Sequence, residues 1–273
     1  MSLRASENNN NYGTNMFDNQ IVAITGASGG IGRAVAEMFI AQGAVVAISD
    51  RTSPDKTATE IGAKAYECDV SKDENVVAFI DAVEADLGPI DIYVSNAGVG
   101  FPDGRYVGGA TNKQWDLSWQ VNVMSSLYAV RRLMPNWVEN KSGRFIITAS
   151  AAGLLNQVGS ASYTTTKHAA VALADSIAIA HADDGIKVNC ICPQYVKTSM
   201  TKDMKIAKEG QGVLLEPSDV SAALLEAIKA DEFLVLPHKD VHGYAIGRAK
   251  DHTGWLRGMA SYFRSLGKEN LPL

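Results

Sequence analysis

Residues Gln20 to Gly43 read QIVAITGASGGIGRAVAEMFIAQG, and no other stretch narrows the fold as far. Gln20 to Thr25 is an apolar, β-branched run suited to a buried strand of a parallel sheet. Thr25–Gly32, TGASGGIG, follows, and then Ala34, Val35, Met38 and Phe39 recur at helical spacing. A glycine-rich turn between a strand and a helix N-terminus is an anion site. Glycines let the main chain approach a diphosphate, and the first helical N–H groups meet its charge. The spacing is G-x-x-x-G-x-G (Gly26, Gly30, Gly32) rather than the commoner G-x-G-x-x-G, but the physics is shared.

The next apolar run, Ala44 to Ile48, ends at Ser49-Asp50. A carboxylate at the end of the second strand accepts both hydroxyls of an adenosine ribose and repels a 2′-phosphate. Asp50 therefore favours NAD over NADP, although Arg51 beside it could tolerate a phosphate. The competing reading is that Asp50 caps the turn before Pro54.

The strand–helix alternation continues nearly to the end. Helices are expected over Pro54–Ile61, Glu74–Leu87, Ser160–Asp183 and Pro217–Lys229. Strands are expected at Lys64–Glu67, Ile90–Val94, Arg144–Thr148, Ile186–Ile191 and Phe233–Leu236. Lys113–Asn140 reads as one long or broken helix kinked at Pro135, and Val241–Leu266 as a single C-terminal helix. Strands joined by helices give a parallel sheet covered on both faces. Right-handed crossovers then make it a doubly wound, seven-stranded α/β sheet of the Rossmann type, in one domain over 19–273. Residues 199–216 are polar and fit a substrate loop. Residues 1–18, with four asparagines at Asn8–Asn11, read as a disordered leader without the apolar core of a secretory signal.

A net charge of −5 without a basic stripe argues against nucleic acid or an anionic membrane as partner. No apolar run is long enough to span a bilayer. Three cysteines make no disulfide framework and fit a reducing, cytoplasmic setting. Cys190 and Cys192 alternate along a strand and should face one packed side. His238 and His242 are too few for a metal site, so no metal is expected and a packed or solvated pair is the better reading.

Ligands of such sheets bind beyond the carboxyl ends of the strands. There lie Asp69-Val70, Asn96-Ala97-Gly98, Ser150 and Pro193, and on the helix after Ser150 lie Tyr163 and Lys167. Four residues apart, those two side chains share a helix face. An ammonium about 5 Å from a phenol, at an effective dielectric of ~20, favours the phenolate by roughly 3 kcal/mol. That brings a tyrosine, ordinarily near pKa 10, toward acid–base duty at neutral pH. Alone, a tyrosine four residues before a lysine is nearly always a solvated helix face.

The combination resembles the short-chain dehydrogenase/reductase family in its T-G-x-x-x-G-x-G branch. The resemblance covers about Gln20 to Thr198 and rests on Thr25–Gly32, Asp50, Asp69-Val70, Asn96-Ala97-Gly98, Asn122, Ser150, Tyr163 with Lys167, and Pro193 to Thr198. It implies an NAD-dependent oxidoreductase interconverting a secondary alcohol and a ketone. Tyr163 would be the general acid/base, Lys167 would lower its pKa and bind the nicotinamide ribose, and Ser150 would hold the substrate oxygen. Asn122 would help hold a relay water, or else be a helix-distorting structural amide. Gly26, Ser28, Gly30, Ile31 and Gly32 would hold the diphosphate, Asp50 and Arg51 the ribose, and Asp69 and Val70 the adenine. Asn96, Ala97 and Gly98 would pass the ribose, while Pro193, Val196 and Thr198 would meet the nicotinamide end. The alternatives are an NADP-dependent carbonyl or 3-oxoacyl reductase, or a dinucleotide-binding regulator without turnover.

The chain departs from the family pattern at three places: Ser95 replaces an asparagine, Gln194 follows Pro193 where glycine is usual, and LPHKDVHGY replaces a glycine-rich ending. The resemblance also implies a homodimer or homotetramer, the dimer formed through Lys113–Asn140 and Ser160–Asp183. The substrate should meet Phe101–Val107, Ala151–Ser160 and Gln194–Val213. Leu154, Leu155, Val158, Tyr195, Met200 and Met204 there point to an apolar alcohol or ketone.

Overall fold

A computed structural model describes residues 15–104, 106–202 and 213–266. Seven strands form one sheet in the order β3-β2-β1-β4-β5-β6-β7, every neighbouring pair parallel. They are β1 (Ile21–Thr25), β2 (Val45–Asp50), β3 (Lys64–Glu67), β4 (Ile92–Ser95), β5 (Gly143–Thr148), β6 (Ile186–Ile191) and β7 (Leu234–Val235). The order reverses between β1 and β4, which opens a crevice at their carboxyl ends.

Alternation along each strand sorts the core into two layers. Val22 and Ile24 of β1 face α1 (Gly30–Ala41) and α7 (Pro217–Lys229), packing with Val35, Phe39 and Leu224. Ile21 and Ala23 face the opposite layer of α3 (Asp73–Leu87), α5 (Ser125–Asn140) and α6 (Ala161–Ala180), with Phe79, Leu133 and Ala174. Cys190 and Cys192 both lie in this second layer. α2 (Asp55–Ile61) follows β2.

Three sequence expectations meet corrections. First, the 112–140 region breaks upstream of Pro135. α4 (Asn112–Trp119) passes into a π-helical turn, Gln120–Met124, and α5 then runs through Pro135 to Asn140. Proline forfeits one N–H bond but the helix continues, whereas the Asn122 amide diverts the chain by bonding Val99. Second, the C-terminal helix is two helices, α8 (Asp240–Lys250) and α9 (His252–Leu266). Asp251 separates them, its carboxylate accepting the Gly254 N–H at 2.8 Å. Third, the expected leader is ordered at its end. Phe17 is buried against Phe39, ring centroids 4.8 Å apart, and its N–H donates to Gln42 O. The preceding residues 1–14, like Met204 in the expected substrate loop, lie outside the described residues.

The glycine turn at β1 is sterically set. Gly26 has φ +65°, and a Cβ there would lie 2.7 Å from Ala97 Cα. Gly26→Ala combines a left-handed backbone with a main-chain collision. We expect it to lower stability by about 3 kcal/mol, a fall of roughly 6–12 °C in Tm by circular dichroism.

Candidate active site

The crevice is a cavity of about 560 Å³ running over the carboxyl ends of the strands. Of the site residues expected from sequence, all line it except Gly32 and Asn122. Gly32 supports from behind, since a Cβ there would lie 2.5 Å from the Asn96 Nδ2.

At one end, Asp50 closes β2. Its Oδ2 accepts the Ser28 N–H at 3.2 Å and its Oδ1 the Arg51 N–H at 2.8 Å, so each oxygen keeps a lone pair for a ligand. The Arg51 side chain is exposed beside it. Asp69 Oδ1 accepts from the main chain and hydroxyl of Ser71, at 3.1 and 2.7 Å. It makes a turn ahead of α3 rather than capping that helix, whose N-cap is Lys72. Asn96 Nδ2 donates to the carbonyls of Thr25 and Gly26, both at 3.0 Å. The Thr25 hydroxyl accepts the N–H groups of Asn96 and Ala97. These bonds weld β4 to the glycine turn. Ser95, where the family has asparagine, instead bonds the Ser126 hydroxyl at 2.8 Å. Thr198 comes over Gly30 from the other side; a Cβ on Gly30 would lie 3.1 Å from its Cγ2.

At the other end, Ser150 leaves β5 with its hydroxyl accepting the Ala152 N–H at 3.1 Å. The Tyr163 phenol lines the cavity beside it, where the serine hydroxyl favours the phenolate. Lys167 is buried, donates to Thr148 O at 2.8 Å, and its Nζ lies 5.6 Å from the Tyr163 ring centre. Burial lowers Lys167 to about 8. Burial likewise raises the Tyr163 phenol, and the Ser150 hydroxyl only partly opposes it. The expected lowering of the tyrosine by its lysine therefore does not prevail. The ammonium is itself desolvated and turned toward a carbonyl.

Asn122 stands behind this pair. Its Oδ1 accepts the Val99 N–H, and its Nδ2 donates to Val99 O and the Thr166 hydroxyl, all at 2.9 Å. Thr166 in turn donates to Tyr163 O at 3.0 Å. Both amide donors are spent on structure, so the side chain has no donor left for a relay water. The amide positions Gly98–Val99 and α6.

The substrate end differs from the apolar wall expected. Tyr195 and Met200 line the cavity, but Leu154 and Leu155 turn into a cluster with Val241 and Trp255. Gln157, Gln194, Leu117 and Val121 line it as well. Gln157 carried a sequence signal only through its place between Ser150 and Tyr163. The C-terminal region reaches this wall three times. Tyr262 comes beside the Tyr195 hydroxyl and, with burial, raises its pKa, and Arg248 Nη1 donates to Leu154 O at 2.6 Å. His238, buried rather than solvated, bridges two segments: Nδ1 accepts the Gln194 N–H at 3.1 Å and Nε2–H donates to Val213 O at 3.0 Å.

A dinucleotide fits this donor set: a carboxylate with free lone pairs at one end, a close-packed glycine turn opening α1, and hydroxyl donors at the other end. Among the described residues no helix is long and apolar enough to cross a membrane.

Comparison with known proteins agrees. The family model for short chain dehydrogenase matches residues 20–209. The chain is 35% identical to sorbose reductase of Candida albicans over 190 residues, 66% of this chain and 68% of that protein. It is 33% identical to meso-2,3-butanediol dehydrogenase of Serratia marcescens over 224 residues, 76% and 86% of the two chains. Among solved structures, 3-ketoacyl-(acyl-carrier-protein) reductase of Brucella melitensis, complexed with NADH, superposes with a TM-score of 0.75. It is 27% identical over 81% of this chain and 96% of that one. Sheet order, crevice and sequence relatives together show that the chain is a member of the short-chain dehydrogenase/reductase family of oxidoreductases.

Proposed function

We propose that the protein interconverts a secondary alcohol and a ketone with NAD(H), Tyr163 serving as general acid and base. The observation that carries this is the gathering of Ser150, Tyr163 and buried Lys167 in the same cavity as the glycine turn and Asp50. The relatives named for sorbose and 2,3-butanediol support alcohol–carbonyl chemistry. NAD(H), held at the glycine turn and Asp50, would supply the hydride chemistry. The Ser150 hydroxyl holds the reacting oxygen, and Tyr163 takes its proton as the carbonyl forms or supplies one as the alcohol forms. Lys167 lends positive charge to the phenolate, and Asn122 fixes the helix carrying both.

Asp50 supports NAD over NADP, because a 2′-phosphate would meet a carboxylate already fixed by two main-chain donors. Fluorescence titration should give NADH at least ~30-fold tighter than NADPH, about 2 kcal/mol of like-charge repulsion. Asp50→Ala should shrink that ratio. Tighter NADPH binding by the wild type would favour an NADP-dependent carbonyl reductase instead. A homodimer through α4–α5 and α6 fits the exposed Trp119 and Ile179 on those elements.

A further inference from the structure

Two glutamines flank the reacting pair, one anchored on each side. Gln157 is tied to the tyrosine's helix: its N–H donates to the Thr164 hydroxyl at 2.9 Å, and that hydroxyl donates back to Gln157 O at 3.3 Å. Thr164 is the residue next to Tyr163. Gln194 is tied to the serine's turn. It follows Pro193, whose carbonyl accepts the Ala151 N–H at 2.8 Å and the Ser150 hydroxyl at 3.4 Å. Its own N–H is held by His238, whose other nitrogen grips Val213. The main chain at Gln194 is thus fixed from two directions, where the family commonly has glycine and no side chain at all.

Both glutamines line the cavity, and neither side-chain amide has a hydrogen-bond partner among the described residues. The only cations lining the cavity among those residues are Arg51, beside Asp50, and Lys167, which donates to Thr148 O beside Tyr163. Among the described residues, and apart from Lys167 beside Tyr163, the substrate end therefore offers neutral amides and hydroxyls. An amide carries both donors and an acceptor, so it can pair with a hydroxyl or a carbonyl. That suits an oxygen that sits beside the reacting carbon and must be held in both directions of the reaction.

Resting on the oxidoreductase reading above, we propose that the substrate is an uncharged alcohol or ketone bearing a second oxygen on the carbon next to the reacting one. Gln194 and Gln157 receive that oxygen while Ser150 and Tyr163 hold the first. His238 acts as a positioning residue, setting the main chain from which Gln194 extends. A site with polar groups to satisfy discriminates against an analogue that lacks the matching group.

The test compares two ketones of one carbon skeleton, 3-hydroxybutan-2-one and butan-2-one, by NADH oxidation with the full chain. The hydroxyketone should have a kcat/KM higher by ~10-fold or more. In Gln194→Leu and in Gln157→Leu that ratio should fall toward one, and His238→Leu should lower it through KM for the hydroxyketone. A wild-type ratio near one overturns the proposal without any variant, and so does a high ratio that survives both glutamine substitutions. If NADH binds but neither these ketones nor a panel of longer and cyclic ones is reduced, the oxidoreductase reading itself falls and this inference with it.

Discussion

Tyr163→Phe should lower kcat by roughly 10³–10⁴ while NADH affinity stays within about twofold. The substitution removes one oxygen from a ring that keeps its neighbours, including the Lys167 Nζ 5.6 Å from its centre. Without the phenol, only Ser150 remains to contact the reacting oxygen, and it has no base to relieve it. The wild-type enzyme should also show opposite pH trends in the two directions. Burial raises the phenol above its ordinary value. Alcohol oxidation needs the phenolate and should climb about tenfold per pH unit below that pKa. Ketone reduction needs the phenol and should stay level over the same range. Stopped-flow measurement of both directions reads this directly. Retention of a tenth of the wild-type rate by the phenylalanine variant would remove Tyr163 from its role.

Lys167→Met should separate activity from stability in opposite senses. Activity should fall by about 10² or more, because the phenolate loses its nearby cation. The fold should gain. Burial holds Lys167 near 8, against about 10.4 for a free lysine. At pH 7 the charged side chain therefore costs the folded state roughly 3 kcal/mol. Between those two values the unfolded chain binds the extra proton, so stability rises with pH from about 8 to 10 and the cost is fully present below 8. Methionine removes the charge but leaves Thr148 O without its 2.8 Å donor, a loss of about 1–2 kcal/mol. The balance is a gain of about 1–2 kcal/mol, or roughly 2–8 °C in Tm at pH 7. The variant should also lose the rise in stability between pH 8 and 10. A lower Tm at pH 7 would mean that the carbonyl bond outweighs the desolvation.

The sheet and the cofactor end were legible because each residue there answers to a local rule. β1 is five apolar or β-branched residues buried on both faces, and Gly26 and Gly32 stand where no Cβ fits. Asp50 closes a strand at a distance fixed by one crossover. The substrate end was not legible, because it depends on which way a loop turns. Leu154 and Leu155 look like pocket lining in sequence, but α8 and α9 offer them a dry cluster, and they take it. Gln157 and Gln194 then inherit the wall. The break before α5 was misplaced for a related reason. Pro135 is the stronger breaker locally, but the Asn122 amide has a partner 23 residues away in sequence, and that long-range bond decides. Asp251 was readable as a cap, with glycine three residues on, and the apolar stripe from Trp255 obscured it.

Val196 and Leu215 bring together the two ends of the stretch of chain between them. Those two residues pair as an isolated parallel bridge, Leu215 N–H reaches Tyr195 O, and Lys197 meets Glu216 at 3.0 Å just beyond. Closure entropy between ends held in this way grows slowly with length, and doubling the chain between them would add only about 0.6 kcal/mol. Insertions between Lys202 and Val213 therefore meet little entropic resistance. That junction gives laboratory evolution of new selectivities a natural place to begin.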